Sequence, residues 1–247
     1  YHLAAQAKDG YSFDNEFYTF RINLNATHYI LSAVRKINDK TKFFFAGSSE
    51  MFGNGNNVSI SEKTLFDPKS PYGISKVASH YLIKSYRETF KMHASTGILF
   101  NHESPRKDIQ FVGRKISHSV ARIKKGLQKK LKLGNIKAKR DWGHAEDYVK
   151  AMWLMLQQKN PDDFVIGTGL AYSVEDFADK AFKHVGLNYK DYIIIDKNLI
   201  RPAEVNTLLA NYSKAKKILK WSPKILFNDL VTGMVESDLE FLKNNKY

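Results

Sequence analysis

The sequence predicts an α/β fold with a largely parallel sheet, and three observations carry that expectation. Strand-sized apolar runs alternate with amphipathic stretches along the chain. The apolar runs end in polar residues, as in "KFFFAGSS" (Lys42–Ser49), which reads as a buried strand entering a loop. The stretch after Pro71 places Ile74, Val77, Ala78, Tyr81, Leu82 and Tyr86 at a helical period.

The elements follow in order. Pro71 suits a first helical turn and Ser70 the cap before it. "STGILFN" (Ser95–Asn101) is the next strand, and "FVGRKISHSVARIKKGL" (Phe111–Leu127) the next helix. "KLKLG" (Lys130–Gly134), "DDFVIGTG" (Asp162–Gly169) and "YIIID" (Tyr192–Asp196) add strands. Ser173 with Asp176 resembles a capping box with a shortened acid, opening "VEDFADKAFKHVG". "FNDLVTGMVESDLEFLK" is a final helix. Trp142 and Trp153 are read as packing residues. In open α/β sheets ligands sit beyond the carboxyl ends of the strands. Gln6, the Ser48–Ser49–Glu50 group, the Asn101–His102–Glu103 group and Arg140 are therefore the polar residues of interest.

Composition narrows the function classes. Of 247 residues, 43% are hydrophobic, which is a globular composition. No apolar run has membrane-spanning length. Cysteine is absent, which excludes disulfides and thiolate chemistry and fits a reducing compartment. The net charge of +14 invites a nucleic-acid reading. The lysines, however, spread over many helix faces, as in "KKGLQKKLK" (Lys124–Lys132) and "SKAKKILK" (Ser213–Lys220), and no aromatic-basic recognition motif joins them. Attraction of an anionic small substrate uses the surplus as simply. The eight histidines show no metal-ligand spacing.

"SPYGISK" (Ser70–Lys76) puts Tyr72 and Lys76 one helical turn apart. A phenol near pKa 10 is a poor base at neutral pH, and a neighbouring ammonium favours its ionised form. Tyr-x-x-x-Lys alone is a weak pattern. The upstream "SSE" strand end, with a hydroxyl and a carboxylate, makes it more specific.

At these residues the chain resembles the extended short-chain dehydrogenase/reductases, and within them the GDP-mannose 4,6-dehydratase family. The matching stretches are "YHLAAQ", "SSEMFG", "SPYGISK", "GILFNHESPR", "RDWGHAEDYV", "DFVIGTG" and "RPAEV". The resemblance implies a Rossmann-like doubly wound parallel sheet lacking its first strands, with a smaller C-terminal substrate-binding domain. Residues 1–107 would be the remainder of the NADP-binding domain, with a sheet return near 137–168, and residues 108–247 mainly the substrate-binding region. It also implies NADP as cofactor, GDP-mannose as substrate, a homo-oligomer (dimer or tetramer), and a cytoplasmic enzyme without nucleic-acid or membrane partners.

Carried over by position, Tyr72 would take the proton of the sugar C4 hydroxyl, and Lys76 would depress the Tyr72 pKa and hold the nicotinamide ribose. Ser48, where the family often has threonine, would bond the C4 oxygen. Glu50 would remove the C5 proton. Leu3, Ala4, Ala5, Gln6, Tyr18, His102 and Lys107 would join Tyr72 and Lys76 in holding the cofactor. Ser49, Asn101, Lys115, Arg140, Arg201 and Glu204 would hold the nucleotide sugar.

Departures from the family pattern are Lys107 for a common arginine, Asn206 for an aspartate and Ala210 for a glycine. Lysine keeps the charge but loses the bidentate fork. The family's glycine-rich strand–turn–helix that binds the pyrophosphate has no counterpart here; "GNGNN" (Gly53–Asn57) is read as a loop. On the resemblance, the chain starts within the fourth strand of the family's sheet and lacks an N-terminal portion. Three other readings stand beside this one. A nucleotide-sugar epimerase or reductase would need no Glu50. A non-catalytic nucleotide-sugar-binding remnant is opposed by the intact Ser48, Glu50, Tyr72 and Lys76 set. A basic nucleic-acid binder would show salt-dependent binding.

Overall fold

The computed structural model describes residues 1–53, 59–200 and 207–244. Arg201, Glu204, Asn206 and all but Gly53 of the "GNGNN" stretch lie outside the described residues. Helix α1 (Glu16–Phe20) runs through a π-helical turn (Arg21–Asn25) into α2 (Ala26–Ile37). Strand β1 (Phe43–Ser48) follows, and a 3-10 turn (Ser49–Phe52) comes directly after it. Next are α3 (Pro71–Phe90), β2 (Ala94–Leu99), β3 (Asn101–Glu103), α4 (Val112–Lys124), β4 (Leu131–Leu133) and β5 (Lys139–His144). The order ends with α5 (Ala145–Gln157), β6 (Phe164–Ile166), β7 (Ala171–Ser173), α6 (Val174–His184), β8 (Ile193–Ile195), β9 (Thr207–Leu208), α7 (Ser213–Ile218) and α8 (Phe227–Asn244).

The central sheet has order β1-β2-β6 and is parallel, with Phe43 opposite Ala94 and Ser48 opposite Leu99. His2 bridges Phe45 in parallel on the far side of β1, its N–H bonding the Phe44 carbonyl at 2.8 Å. Strand alternation divides the core. Phe43 and Phe45 face Leu31 of α2 and Ile83 of α3. Phe44 faces Tyr148, Met152 and Met155 of α5 on the opposite side. Fully burying each such aromatic contributes roughly 1.5–3 kcal/mol.

A second sheet joins β3, β5, β7 and β9. Here the parallel rule breaks: β5 and β7 pair antiparallel. The third core packs α4, α6 and α8 around Trp142, Phe177 and Phe227. Both tryptophans expected to pack can be checked against these layers. Trp142 does pack, at 1% exposure, whereas Trp153 leaves 46% of its surface open on the outer side of α5. Trp153 is thus a surface residue, because α5 turns Tyr148, Met152 and Met155 inward instead. Among the described residues no helix is long and apolar enough to cross a membrane.

Candidate active site

Helix α3 starts where its cap chemistry dictates. The Ser70 hydroxyl accepts the Gly73 N–H at 3.1 Å, and Pro71 occupies the first turn. That first turn lies against the 3-10 turn after β1. A Cβ on Gly73 would sit 2.8 Å from the Glu50 carbonyl oxygen, so glycine is what allows α3 and the Ser49–Glu50 turn to meet. Ser48, Glu50, Tyr72 and Lys76 are thereby brought to the carboxyl end of β1.

The Ser48 hydroxyl accepts the Glu50 N–H at 3.2 Å and is hydrogen-bonded to the Tyr72 phenol. Tyr72 is buried, and its phenol is pushed up to about 12. Burial is the main cause; the Ser48 hydrogen bond opposes it, and the charges of Glu50 and Asp9 reinforce it. Lys76 is 4% exposed and gives one hydrogen bond, 2.9 Å long, to the Ala46 carbonyl. Its ammonium lies 5.0 Å from the Phe45 ring centre and 5.7 Å from that of Tyr72. With no carboxylate paired to it among the described residues, burial lowers its pKa to about 8. Lys76 is not among the groups that shift the Tyr72 phenol in this arrangement. Burial dominates both groups, and the ammonium is turned to Ala46.

Three residues that the sequence did not single out, Asp9, Ser12 and Asn23, hold this corner. The Tyr72 N–H donates to the Ser12 hydroxyl at 3.1 Å, and Ser12 in turn donates to the Asp9 carbonyl at 2.6 Å. Ser70 donates to the Asp9 carboxylate. Asn23, buried on the π-helical turn, accepts the Gln6 N–H at 2.8 Å. Its amide donates to the Gln6 carbonyl at 3.1 Å and to the Ser75 hydroxyl at 3.0 Å. One side chain thus ties the segment after His2 to α3, within the turn type that recurs at functional sites.

Beyond His2, Leu3 and Ala4 are exposed, Ala5 is half-buried and Gln6 is buried, its side-chain amide donating to the Lys8 carbonyl at 2.8 Å. Tyr18 is exposed. His102 lies on β3, its Nδ1–H donating to the Phe100 carbonyl at 2.9 Å and its ring 4.9 Å from that of Tyr148. Burial, with Lys107 adding, lowers its pKa to about 4, so it is a neutral imidazole with Nε2 as an acceptor. Lys107 is placed otherwise than as a free phosphate contact. Its ammonium donates to the His102 carbonyl and to the buried Glu103 carboxylate, both at 2.8 Å. Glu103 needs that counterion, because burial raises its pKa.

The nucleotide-sugar candidates sit on other elements. Ser49 is buried in the 3-10 turn, and Asn101 opens β3 opposite Trp142. Arg140 is buried on β5, with one guanidinium N–H on the Lys139 carbonyl at 2.8 Å. Lys115 is half-buried in the first turn of α4; burial lowers its pKa and Asp196 opposes the shift.

The donor set fits the ribose end of a nicotinamide cofactor. Lys76 has three N–H donors and gives one to Ala46, which leaves two for vicinal hydroxyls. Leu3, Ala4 and Tyr18 leave exposed surface. A parallel sheet with a strand-end serine and a helical Tyr-x-x-x-Lys defines the short-chain dehydrogenase/reductase class of enzyme. Residues 1–234 match the family model described as GDP-mannose 4,6 dehydratase, and the chain belongs to that family.

GDP-mannose 4,6 dehydratase 1 of Arabidopsis thaliana is 50% identical over 250 residues, which cover 100% of this chain and 69% of that protein. GDP-mannose 4,6 dehydratase of Homo sapiens is 41% identical over 264 residues, covering 99% and 71%. Among solved structures, RMD from Pseudomonas aeruginosa complexed with NADPH superimposes with a TM-score of 0.89 at 22% identity, covering 97% of this chain and 80% of that one. DesIV, a dTDP-glucose 4,6-dehydratase from Streptomyces venezuelae with NAD and TYD bound, gives 0.87 at 19% identity, covering 99% and 74%.

Proposed function

We propose that the chain dehydrates GDP-mannose to GDP-4-keto-6-deoxymannose, with Ser48, Glu50, Tyr72 and Lys76 as its catalytic residues. The observation that carries this reading is Glu50 beside the Ser48–Tyr72 hydrogen bond. Oxidation and reduction at a sugar carbon need only the hydroxyl, phenol and ammonium. A carboxylate two residues beyond the strand end adds a base for carbon acid chemistry.

A bound nicotinamide would supply the hydride acceptor for sugar C4 and the hydride donor for C6. Tyr72 takes the C4 hydroxyl proton, and Ser48 orients the C4 oxygen. Glu50 takes the C5 proton, made acidic by the C4 ketone, as water leaves from C6. Lys76 holds the ribose hydroxyls with the two donors not given to Ala46, and its positive charge, 5.7 Å from the Tyr72 ring centre, favours the phenolate. Leu3, Ala4, Ala5, Gln6, Tyr18 and His102 line the cofactor, with His102 Nε2 as an acceptor. Lys107 acts through Glu103 and the His102 carbonyl.

Asn101, Ser49, Lys115 and Arg140 hold the nucleotide sugar, together with Arg201 and Glu204. NADP is the cofactor that the family resemblance implies; of the two matched structures, RMD contains NADPH and DesIV contains NAD. The cofactor-binding region is 1–107 with the return near 137–168, and the substrate region is 108–247. Phe17 of α1, Tyr29 of α2 and Tyr81 of α3 are exposed apolar residues, in keeping with a homo-oligomer. The cysteine-free composition is in keeping with the cytoplasm.

The test is Glu50→Gln. The variant is expected to oxidise C4 but neither exchange C5 hydrogen with deuterated solvent nor lose water. Full dehydration by this variant overturns the assignment of Glu50.

A further inference from the structure

We propose that the concave surface between α5 and the α7–α8 connection is a second ligand site, built for a nucleoside phosphate. It lies on the α5 side of the central sheet, whereas Tyr72 and Lys76 belong to the α3 side. The inference does not depend on the reaction assigned above.

The cavity measures about 640 Å³, within the usual range for small-molecule sites. Its floor is rigid. Trp221 is buried, its indole N–H donates to the Asp147 carbonyl at 2.8 Å, and its ring stands perpendicular to those of Tyr148 and Tyr212. Its wall is the outer face of α5, where Glu146, Val149, Lys150 and Trp153 fall at helical spacing. Trp153 is the one exposed tryptophan of the three, and the Lys150 ammonium lies 4.2 Å from its ring centre.

The rim is cationic. Lys150, Lys220 and Lys224 line the cavity. Neither Lys220 nor Lys224 makes an ion pair among the described residues. Lys220 takes a left-handed backbone conformation, φ 55°, immediately before the anchored Trp221. Of the two acids in the cavity, Asp147 is turned inward, its carboxylate accepting the Lys224 and Ile225 N–H groups at 2.9 Å each. Glu146 alone remains exposed.

This combination selects a ligand with three parts. A planar base stacks on Trp153, a phosphate meets Lys220 and Lys224, and ribose hydroxyls donate to Glu146. A lone inorganic anion leaves the indole unused, and an uncharged aromatic leaves two cations unpaired.

Trp142 and Trp221 are buried, so quencher-accessible fluorescence reports Trp153. Titration of the full chain with GMP is expected to quench this emission saturably and to shield it from acrylamide. Lys220→Ala with Lys224→Ala is expected to weaken binding about tenfold or more. Trp153→Phe is expected to abolish the response with circular dichroism unchanged, and inorganic phosphate is expected to give none. Absence of saturable quenching at millimolar GMP, or equal affinity in the double-lysine variant, overturns the proposal. So does shielding of Trp153 that grows with protein concentration without GMP, since the occupant is then a second copy.

Discussion

Lys76 and Lys107 are both drawn off the surface, and the molecule treats them in opposite ways. Lys107 lies against the buried Glu103 carboxylate and also donates to the His102 carbonyl, so its charge is matched and its donors are occupied. Lys76 has a carbonyl and two ring faces for neighbours, and burial drags its pKa to about 8. A paired buried ion completes the fold on its own, whereas a desolvated ion without an acid leaves donors available to a ligand. The difference separates a residue held for structure from one held for chemistry, although both are lysines beside aromatic rings.

The largest expected effect is on catalysis. Lys76→Met and Tyr72→Phe are each expected to slow C4 oxidation by roughly 10²–10⁴-fold. The double variant is expected to lose far less than the product of the two, because the pair acts as one unit. Single-turnover absorbance of the reduced nicotinamide measures this, and multiplicative losses would separate the two roles.

Stability comes next, and the same substitution should change sign between the two lysines. Lys107→Met strands Glu103 and is expected to destabilise by about 3–5 kcal/mol at pH 7. Adding Glu103→Gln should restore much of that. Urea titration of the two single variants and the double reads the coupling directly. Equal losses in Lys107→Met and the double would break the comparison.

Lys76→Met is expected to stabilise the chain at pH 7. The folded-state pKa near 8 lies below the ordinary lysine value of 10.5, so the unfolded chain binds more protons between these values. Stability of the native chain should therefore rise through that window, and the advantage of Lys76→Met should fade above it. The shift corresponds to on the order of 3 kcal/mol as an upper figure, reduced by loss of the Ala46 hydrogen bond. Urea midpoints across pH 7–11 for both chains test it.

The smallest effect concerns Asn23→Ala, expected to destabilise by about 1–3 kcal/mol through unpaired Gln6 and Ser75 groups. It should weaken cofactor affinity more than nucleotide-sugar affinity, which calorimetric titration of each ligand distinguishes. An equal fall in both would mark Asn23 as generally structural.

Much of the frame was legible because its signals are short-range. Ser70 with Pro71 starts α3, Ser173 with Asp176 forms the expected capping box, and the β1, β2, β6 and β8 runs are apolar and strand-sized. The Ser48, Glu50, Tyr72 and Lys76 set was legible as a pattern, and its convergence follows from the cap and from Gly73. Its electrostatics was not, since residue spacing carries no burial, and burial is the main cause of the raised Tyr72 phenol. Apart from Tyr18, residues 10–37 went unread for a different reason. The π-helical turn shifts the apolar period partway, and Thr19, Asn23 and Thr27 are polar residues on the buried side. The Glu103–Lys107 pair joins residues four apart whose contact depends on burial that the sequence does not display.

The π-helical turn also bears on how this chain can diverge. Deleting one residue from Arg21–Asn25 would leave a better-bonded, uninterrupted α-helix, an improvement by any local measure. It would also swing one flank about 100° relative to the other. Either Asn23 would leave Gln6 and Ser75, or Leu31 and Val34 of α2 would leave the sheet. Substitutions can accumulate along this helix, but its length cannot drift by a single residue, so insertions and deletions among descendants should fall in the surrounding loops and spare this turn.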